Sequence, residues 1–135
     1  KFEENFEHAF IKYEDILKKS NLSATTSYYV LVYRNGCAVC EEIEPYVCEY
    51  ATIVNKKPSI DKIYVLNKSD KKNNGGISAG PGVVQNRGYG ATNYNEIKLA
   101  TAPVLLKITK GKVVALYDTK TAIKSALSEL ISRYE

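Results

Sequence analysis

The segment YYVLVYRNGCAVCEEIEP, residues 28–45, predicts a buried strand, a turn and the start of a helix. Its first part, Tyr28–Arg34, is an almost continuous run of aromatic and β-branched residues, typical of a strand that is buried on both faces of a sheet. Asn35-Gly36 is a turn signal. The glutamates that follow the two cysteines favour the first turns of a helix, where the helix dipole is positive. We therefore expect a central strand that leads directly into a helix.

Cys37 and Cys40 lie at the start of this predicted helix, which continues to about Val54 or Asn55. A separation of three positions places both sulfurs within one helical turn, close enough to form a disulfide. The positive end of a helix stabilises an anion, so the first sulfur can be a thiolate near neutral pH. Because the thiolate is the attacking species in disulfide exchange, we predict Cys37 as the nucleophile and Cys40 as the resolving thiol.

The flanking sequence alternates between helical and extended patterns. We predict an amphipathic helix over residues 2–19, a strand over Ile60–Leu66, a hairpin at Lys110-Gly111 and a helix over about Lys120–Tyr134. Strands separated by helices imply a right-handed crossover and a parallel pair, whereas the hairpin adds antiparallel strands. The predicted fold class is α/β, with a central mixed sheet and helices on both faces, in a single domain over residues 1–135.

Residues 67–93 are polar and rich in glycine and asparagine, and they are too long for an ordinary connection. One interpretation is an exposed, partly disordered insertion. The other is a flap that faces the substrate, with Tyr89 and Tyr94 as contact surface. The glycines form no phosphate-binding motif. A short helix is expected just after this segment, over Tyr94–Leu99.

The composition excludes several classes of protein. A chain of 135 residues with 44% hydrophobic residues can bury a core without a disulfide scaffold, and its three cysteines are too few for a disulfide-rich mini-protein. No run approaches the roughly 20 apolar residues that span a membrane. The net charge of +4 comes from scattered lysines opposed by fifteen acidic residues, so we predict no nucleic-acid binding.

The chain has no methionine and begins with Lys1. An initiator methionine is usually removed only before a small residue, so we expect a mature or trimmed chain. We favour an exported protein, secreted or anchored through a missing N-terminal segment, over a truncated cytoplasmic one.

A Cys-x-x-Cys pair that follows a buried strand and opens a helix resembles the thioredoxin superfamily, and the resemblance covers nearly the whole chain. Pro45 follows Cys40 by five residues, where thioredoxins carry a helix-kinking proline. Pro103 begins a strand and hairpin similar to the cis-proline strand of the family. The resemblance implies a thioredoxin-like thiol–disulfide oxidoreductase. Its substrates would be protein or peptide disulfides, and it would use a redox partner protein and no cofactor.

The resemblance also implies a substrate groove. In the family, the loop before the cis-proline lies against the disulfide, and the backbone of the residue before the proline pairs with bound peptide. The corresponding residues are Ala102 and Pro103. Gly36, Ala38 and Val39 complete the substrate-binding set around the cysteines. We expect the protein to act as a monomer.

Three departures from the family pattern bear on the direction of the reaction. Gly36 stands where thioredoxins have Trp, and Ala38-Val39 replaces both the Gly-Pro of thioredoxins and the His-containing pairs of oxidases. Leu31 replaces the buried Asp. Since neither Ala38 nor Val39 can donate a side-chain hydrogen bond, we expect a less depressed Cys37 pKa than in strong oxidases. We therefore favour a specialised reductase.

The sequence leaves alternatives open for the cysteine pair. The cysteine pair can be half of a zinc site, but the chain has no second Cys-x-x-Cys or Cys/His pair, so we predict no metal. A rival function is a non-enzymatic binding or accessory module that uses the cis-proline groove and the long loop.

Four further side chains have chemistry that the proposed reaction does not use directly. Cys48 is expected to be a buried structural cysteine, with a regulatory or intermolecular thiol as the alternative. His8, the only histidine, is expected at the surface. Glu41 or Glu42 can replace the missing buried acid, although both suit a plain role at the helix start.

Overall fold

The computed structural model describes residues 11–19 and 27–135. Within these ranges four strands form one sheet: β1 (Ser27–Tyr33), β2 (Lys62–Asn67), β3 (Val104–Thr109) and β4 (Lys112–Tyr117). The α-helices are α1 (Ala38–Lys56), α2 (Lys71–Ile77) and α3 (Lys120–Tyr134). Two short 3-10 helices occupy Tyr13–Asp15 and Tyr94–Glu96. None of the described helices is long and apolar enough to cross a membrane.

The strand order is β2-β1-β3-β4. β1 pairs in parallel with β2 and antiparallel with β3, and β4 forms the antiparallel hairpin with β3. Side chains from Tyr28 to Tyr33 are buried, because β1 has a neighbouring strand on each side and a packed layer on each face. The predicted α/β class with a mixed sheet is confirmed.

Both faces of the sheet are covered. The helices α1 and α3 pack on the first face and enclose a core that includes both paired cysteines. The second face is covered by α2 and the two 3-10 helices. The largest fully buried side chains of this second layer are Tyr28, Ile16, Leu66, Ile77, Ile97, Leu99, Leu106 and Ile108.

The helix predicted over residues 2–19 lies largely outside the described residues, as does His8. From residue 11 onward the prediction was wrong, because the only helical turn there is the 3-10 helix Tyr13–Asp15. The Ile11 N–H donates to the Val65 carbonyl at 3.1 Å, so the chain runs alongside β2 at this point. Ile11, Tyr13 and Ile16 are buried against the second face of the sheet, but they do not form the apolar face of an α-helix.

Residues 67–93 are not exposed throughout, because α2 forms there and buries Asn73 and Ile77. Asp70 caps the helix by accepting from the Lys72 N–H at 3.3 Å. Asn73 is buried, accepts from the Tyr13 N–H at 2.9 Å and donates to the Asn67 carbonyl at 3.0 Å. These contacts, and above all the distant one with Tyr13, stabilise a helix whose adjacent glycines disfavour it locally.

Two buried tyrosines on the first face link stability to alkaline pH. The rings of Tyr29 and Tyr50 pack edge to face with centroids 6.3 Å apart, and the Tyr50 hydroxyl donates to the Asp61 carbonyl at 2.6 Å. Burial, with a smaller contribution from Asp61, raises the pKa of Tyr29 to about 12 and raises the pKa of Tyr50 further. The neutral phenols therefore stabilise the fold below pH 10, the ordinary phenol pKa.

We expect the free energy of unfolding to fall as the pH rises from 10 towards 12, because the unfolded phenols ionise first. Urea denaturation at a series of pH values measures this dependence. Tyr50→Phe should flatten it, whereas Tyr89→Phe, at an exposed ring, should leave it unchanged. If the free energy of unfolding falls equally with pH in the wild type and both variants, buried tyrosines do not cause the pH dependence.

Candidate active site

The turn between β1 and α1 places the cysteines at the end of the central strand. Gly36 has a φ of +64°, a conformation that glycine adopts without strain, and this directs the chain from strand to helix. The Asn35 N–H donates to the Ser69 hydroxyl at 3.0 Å, and the Asn67 side chain donates to the Asn35 side-chain oxygen at 3.1 Å. The turn is thus held to the end of β2, the neighbouring strand.

A disulfide joins Cys37 and Cys40, whose Cα atoms are 5.2 Å apart. Cys37 is the N-cap of α1, and its Sγ accepts a hydrogen bond from the Cys40 N–H at 3.1 Å. In the reduced protein, a negative charge on Cys37 Sγ would lie next to the Cys40 N–H and the positive end of the α1 dipole. Both stabilise a thiolate there, as the sequence predicted.

The loop before β3 lies against the disulfide. The Ala102–Pro103 peptide bond is cis, and Cys37 Sγ is 3.7 Å from the Ala102 carbonyl oxygen. In the oxidised protein this is a contact and not a hydrogen bond, because a disulfide sulfur carries no hydrogen. In the reduced protein, a protonated Cys37 thiol can donate a hydrogen bond to the Ala102 carbonyl. The structure therefore places the Ala102 carbonyl, at the cis bond that precedes Pro103, beside Cys37.

The surface over the sulfurs consists of small apolar residues. Cys37 and Cys40 are only 3% and 2% exposed. Gly36 and Ala38 are exposed, and Val39 and Ala102 are half-buried. Because these side chains are short, the backbone of another polypeptide can come close to Cys37 at this rim.

Among residues 11–19 and 27–135, no acidic side chain is buried. Leu31 is fully buried in the first-face core and lies opposite Val65 and Leu105 in the sheet. Glu41 and Glu42 are exposed, and Glu42 forms an ion pair with Lys120 at 3.3 Å. Neither glutamate occupies a buried position like that of the acid it would replace.

Cys48 is a free cysteine that is half-buried against the first-face core, whereas a buried structural cysteine was predicted. Burial, and secondly the nearby Glu44 carboxylate, raise the pKa of the Cys48 thiol. Within residues 11–19 and 27–135 no group of three or more His, Cys, Asp or Glu side chains is arranged to hold a metal ion. The disulfide also leaves neither Cys37 nor Cys40 as a thiolate ligand.

Asn86, which holds the backbone just before Ala102, was not predicted from the sequence. Its side-chain oxygen accepts from the N–H groups of Ala100 and Thr101 at 2.8 and 3.1 Å. Its side-chain NH₂ donates to the Thr101 hydroxyl at 2.8 Å and to the Asp118 carboxylate at 3.1 Å. Since these partners lie 14 to 32 positions away in sequence, no local pattern marks this asparagine.

No protein-family model and no curated protein sequence matches the chain significantly. Solved thioredoxin structures are similar in fold. Thioredoxin f2 of Chlamydomonas reinhardtii superposes with a TM-score of 0.56 at 16% identity, covering 93% of this chain and 94% of that one. Thioredoxin of Fasciola hepatica gives 0.53 at 19% identity, covering 94% and 96%.

A chain of the complex between ferredoxin:thioredoxin reductase and thioredoxin f2 gives a TM-score of 0.60 at 11% identity, with 94% of both chains covered. At these identities the likeness concerns the fold alone. The sheet order, the packing of helices on both faces and these superpositions agree with the predicted resemblance. The chain therefore has a thioredoxin-like fold, with a disulfide-linked Cys-x-x-Cys pair at the start of its longest described helix.

Proposed function

We propose that the protein is a thiol–disulfide oxidoreductase that acts on protein or peptide disulfides. The observation that carries this proposal is the Cys37–Cys40 disulfide at the N-terminus of α1, with the Cys40 N–H on Cys37 Sγ and the Ala102 carbonyl beside it. This arrangement supplies what disulfide exchange needs, namely a stabilised thiolate, a second thiol in reach and an adjacent backbone surface for the substrate.

In the proposed reaction the reduced protein transfers two electrons to the substrate. Cys37 thiolate attacks one substrate sulfur, the substrate S–S bond breaks, and the other substrate sulfur leaves as a thiolate and takes up a proton. Cys40 then loses its proton and attacks Cys37 Sγ. The mixed disulfide breaks, the second substrate thiolate is released, and the protein is left with the Cys37–Cys40 disulfide.

We propose that the physiological direction is reduction of the substrate. Ala38 and Val39 offer the Cys37 thiolate no side-chain hydrogen bond, which argues against the strongly stabilised thiolate of an oxidase. Leu31 beneath the disulfide and the exposed glutamates argue against an efficient general thioredoxin. A specialised reductase is consistent both with Ala38 and Val39 between the cysteines and with Leu31 in place of a buried acid.

A reductase of this kind needs a donor that reduces the Cys37–Cys40 disulfide after each cycle. The structurally similar thioredoxin f2 has been solved in a complex with ferredoxin:thioredoxin reductase. By analogy, we propose that a redox protein docks at the rim around Cys37 and donates two electrons. The exported location and the monomeric state stay predictions.

The test of direction is the redox equilibrium of Cys37 and Cys40 with glutathione, followed by thiol alkylation and mass measurement. We expect a potential near the roughly −270 mV of thioredoxins. A potential of about −120 to −180 mV would indicate an oxidase or isomerase. If no intramolecular disulfide forms at any glutathione ratio, the exchange mechanism is wrong.

The second candidate is a binding module that performs no chemistry. It is favoured by two exposed side chains between α2 and β3, Val84 at 81% and Tyr89 at 76% exposure. Tyr94 is also exposed, at 36%, although its ring packs edge to face on Tyr13 with centroids 5.0 Å apart. This function requires partner binding that survives the loss of Cys37.

A further inference from the structure

Asn86 connects three parts of the chain, one of which leads to the Ala102 carbonyl beside Cys37. Its four hydrogen bonds join the segment after α2 to residues 100 and 101 and to Asp118, which follows β4. Ala100 and Thr101 lie outside β3, where the sheet ladder does not hold their N–H groups. Both N–H groups instead share the Asn86 side-chain oxygen. One side chain thus holds the backbone that leads to Pro103.

The held backbone is the part of this loop that approaches the reactive sulfur. Thr101 is followed directly by Ala102, whose carbonyl oxygen is 3.7 Å from Cys37 Sγ. A shift of this short link therefore changes the position of Ala102 relative to Cys37. A polypeptide substrate would pair with the Ala102 backbone while presenting its sulfur to Cys37. Its binding therefore requires Ala102 and Cys37 to be correctly placed relative to each other. Positioning errors of this kind are costly in catalysis.

We propose that Asn86 is a positioning residue for thiol–disulfide exchange with polypeptides. It fixes residues 100–102 so that the Ala102 backbone is already placed to receive a substrate chain beside Cys37. This inference rests on the proposed function and adds to it a residue outside the Cys-x-x-Cys motif. Pre-organisation lowers the entropy lost on substrate binding, so the effect falls on KM for a peptide. A small disulfide without a peptide backbone does not depend on it.

The test compares two probes on the same variants. The first is a pair of synthetic decapeptides joined by one disulfide, and the second is hydroxyethyl disulfide. For Asn86→Ala we expect KM for the peptide probe to rise about tenfold, the effect of losing one or two good hydrogen bonds. The rate constant with hydroxyethyl disulfide should be unchanged. Gln85→Ala, an exposed neighbouring amide, is the matched control and should match the wild type on both probes.

A charge exchange gives a second, independent test. In Asn86→Asp the carboxylate still accepts from Ala100 and Thr101, but it faces Asp118 and repels it. Adding Asp118→Asn allows a hydrogen bond between the two side chains again. The amide at position 118 is then the donor and the carboxylate at position 86 is the acceptor. We expect KM for the peptide probe to rise in Asn86→Asp and to return towards the wild-type value in the double variant. A double-mutant cycle measures this coupling.

Each outcome separates this inference from the function it rests on. If the wild type reduces neither probe, the proposed function and the inference are both wrong. If the wild type reduces both probes and Asn86→Ala keeps the wild-type peptide KM, the inference alone is wrong. It is also wrong if Asn86→Ala loses activity equally on both probes with a lowered Tm, since that result indicates a general structural role.

Discussion

Cys37→Ser is expected to reduce the turnover of a disulfide-bonded peptide to the uncatalysed background. A serine hydroxyl remains protonated at neutral pH, so the N-terminus of α1 and the Cys40 N–H would face a neutral oxygen instead of a thiolate. Cys40→Ser should behave differently. It keeps the nucleophile but removes the thiol that resolves the mixed disulfide.

Mass measurement under non-reducing conditions separates the two variants. Cys40→Ser should accumulate a covalent adduct with one peptide on Cys37, whereas Cys37→Ser should show none. The matched control is Cys48→Ser, which changes the same residue type in the same helix away from the disulfide and should keep full turnover. Full turnover by Cys37→Ser would contradict the proposed mechanism. Retained partner binding by an inactive wild type would favour the binding module.

Two adjacent glycines of α2 are expected to respond in opposite directions to alanine. A Cβ at Gly76 would lie 2.4 and 2.6 Å from the Cε2 and Cδ2 atoms of Tyr13. That ring is buried, and its hydroxyl donates to the Ile97 carbonyl at 2.9 Å, so it is not free to move aside. Gly76→Ala should therefore destabilise the protein by about 1–3 kcal/mol, the usual cost of overpacking.

Gly75→Ala is the matched change, because a Cβ there has no atom within 4 Å. Alanine favours a helix over glycine by about 1 kcal/mol, so this variant should be more stable than the wild type. Urea denaturation of both variants, followed by far-ultraviolet circular dichroism, measures the two shifts. Equal destabilisation by both variants would contradict the packing of Tyr13 on α2.

The elements that were predicted well depend on local patterns. The apolar run of β1, the Asn35-Gly36 turn and α3 with its observed bounds Lys120–Tyr134 each carry their own signal in neighbouring residues. The hairpin turn is also local, since Lys110 and Gly111 both adopt positive φ. For such segments, propensity, periodicity and turn chemistry agree with the tertiary fold.

The elements that were missed depend on distant contacts. The sequence KKNNGGI forms α2 because Asn73 and Ile77 are anchored to the second-face core, and nothing in those seven residues reveals that environment. Asn86 looks like one more polar residue in a Gly/Asn-rich segment until the fold brings Ala100 and Asp118 to it. The placement of Ala102 near Cys37 was suggested by the family resemblance, because no local pattern indicates it.

The short side chains around the disulfide have a consequence for the chemical range of substrates. Gly36, Ala38, Val39 and Ala102 carry no charge and no side-chain hydrogen-bonding group. If a substrate chain binds at this rim as proposed, these four residues would contact it through backbone and aliphatic groups alone and would offer little discrimination among the sequences next to the target disulfide. Under the proposed function, we therefore expect this rim to favour extended, accessible chain segments over disulfides buried in folded domains. Such selectivity would depend on the folding state of the client and not on its sequence.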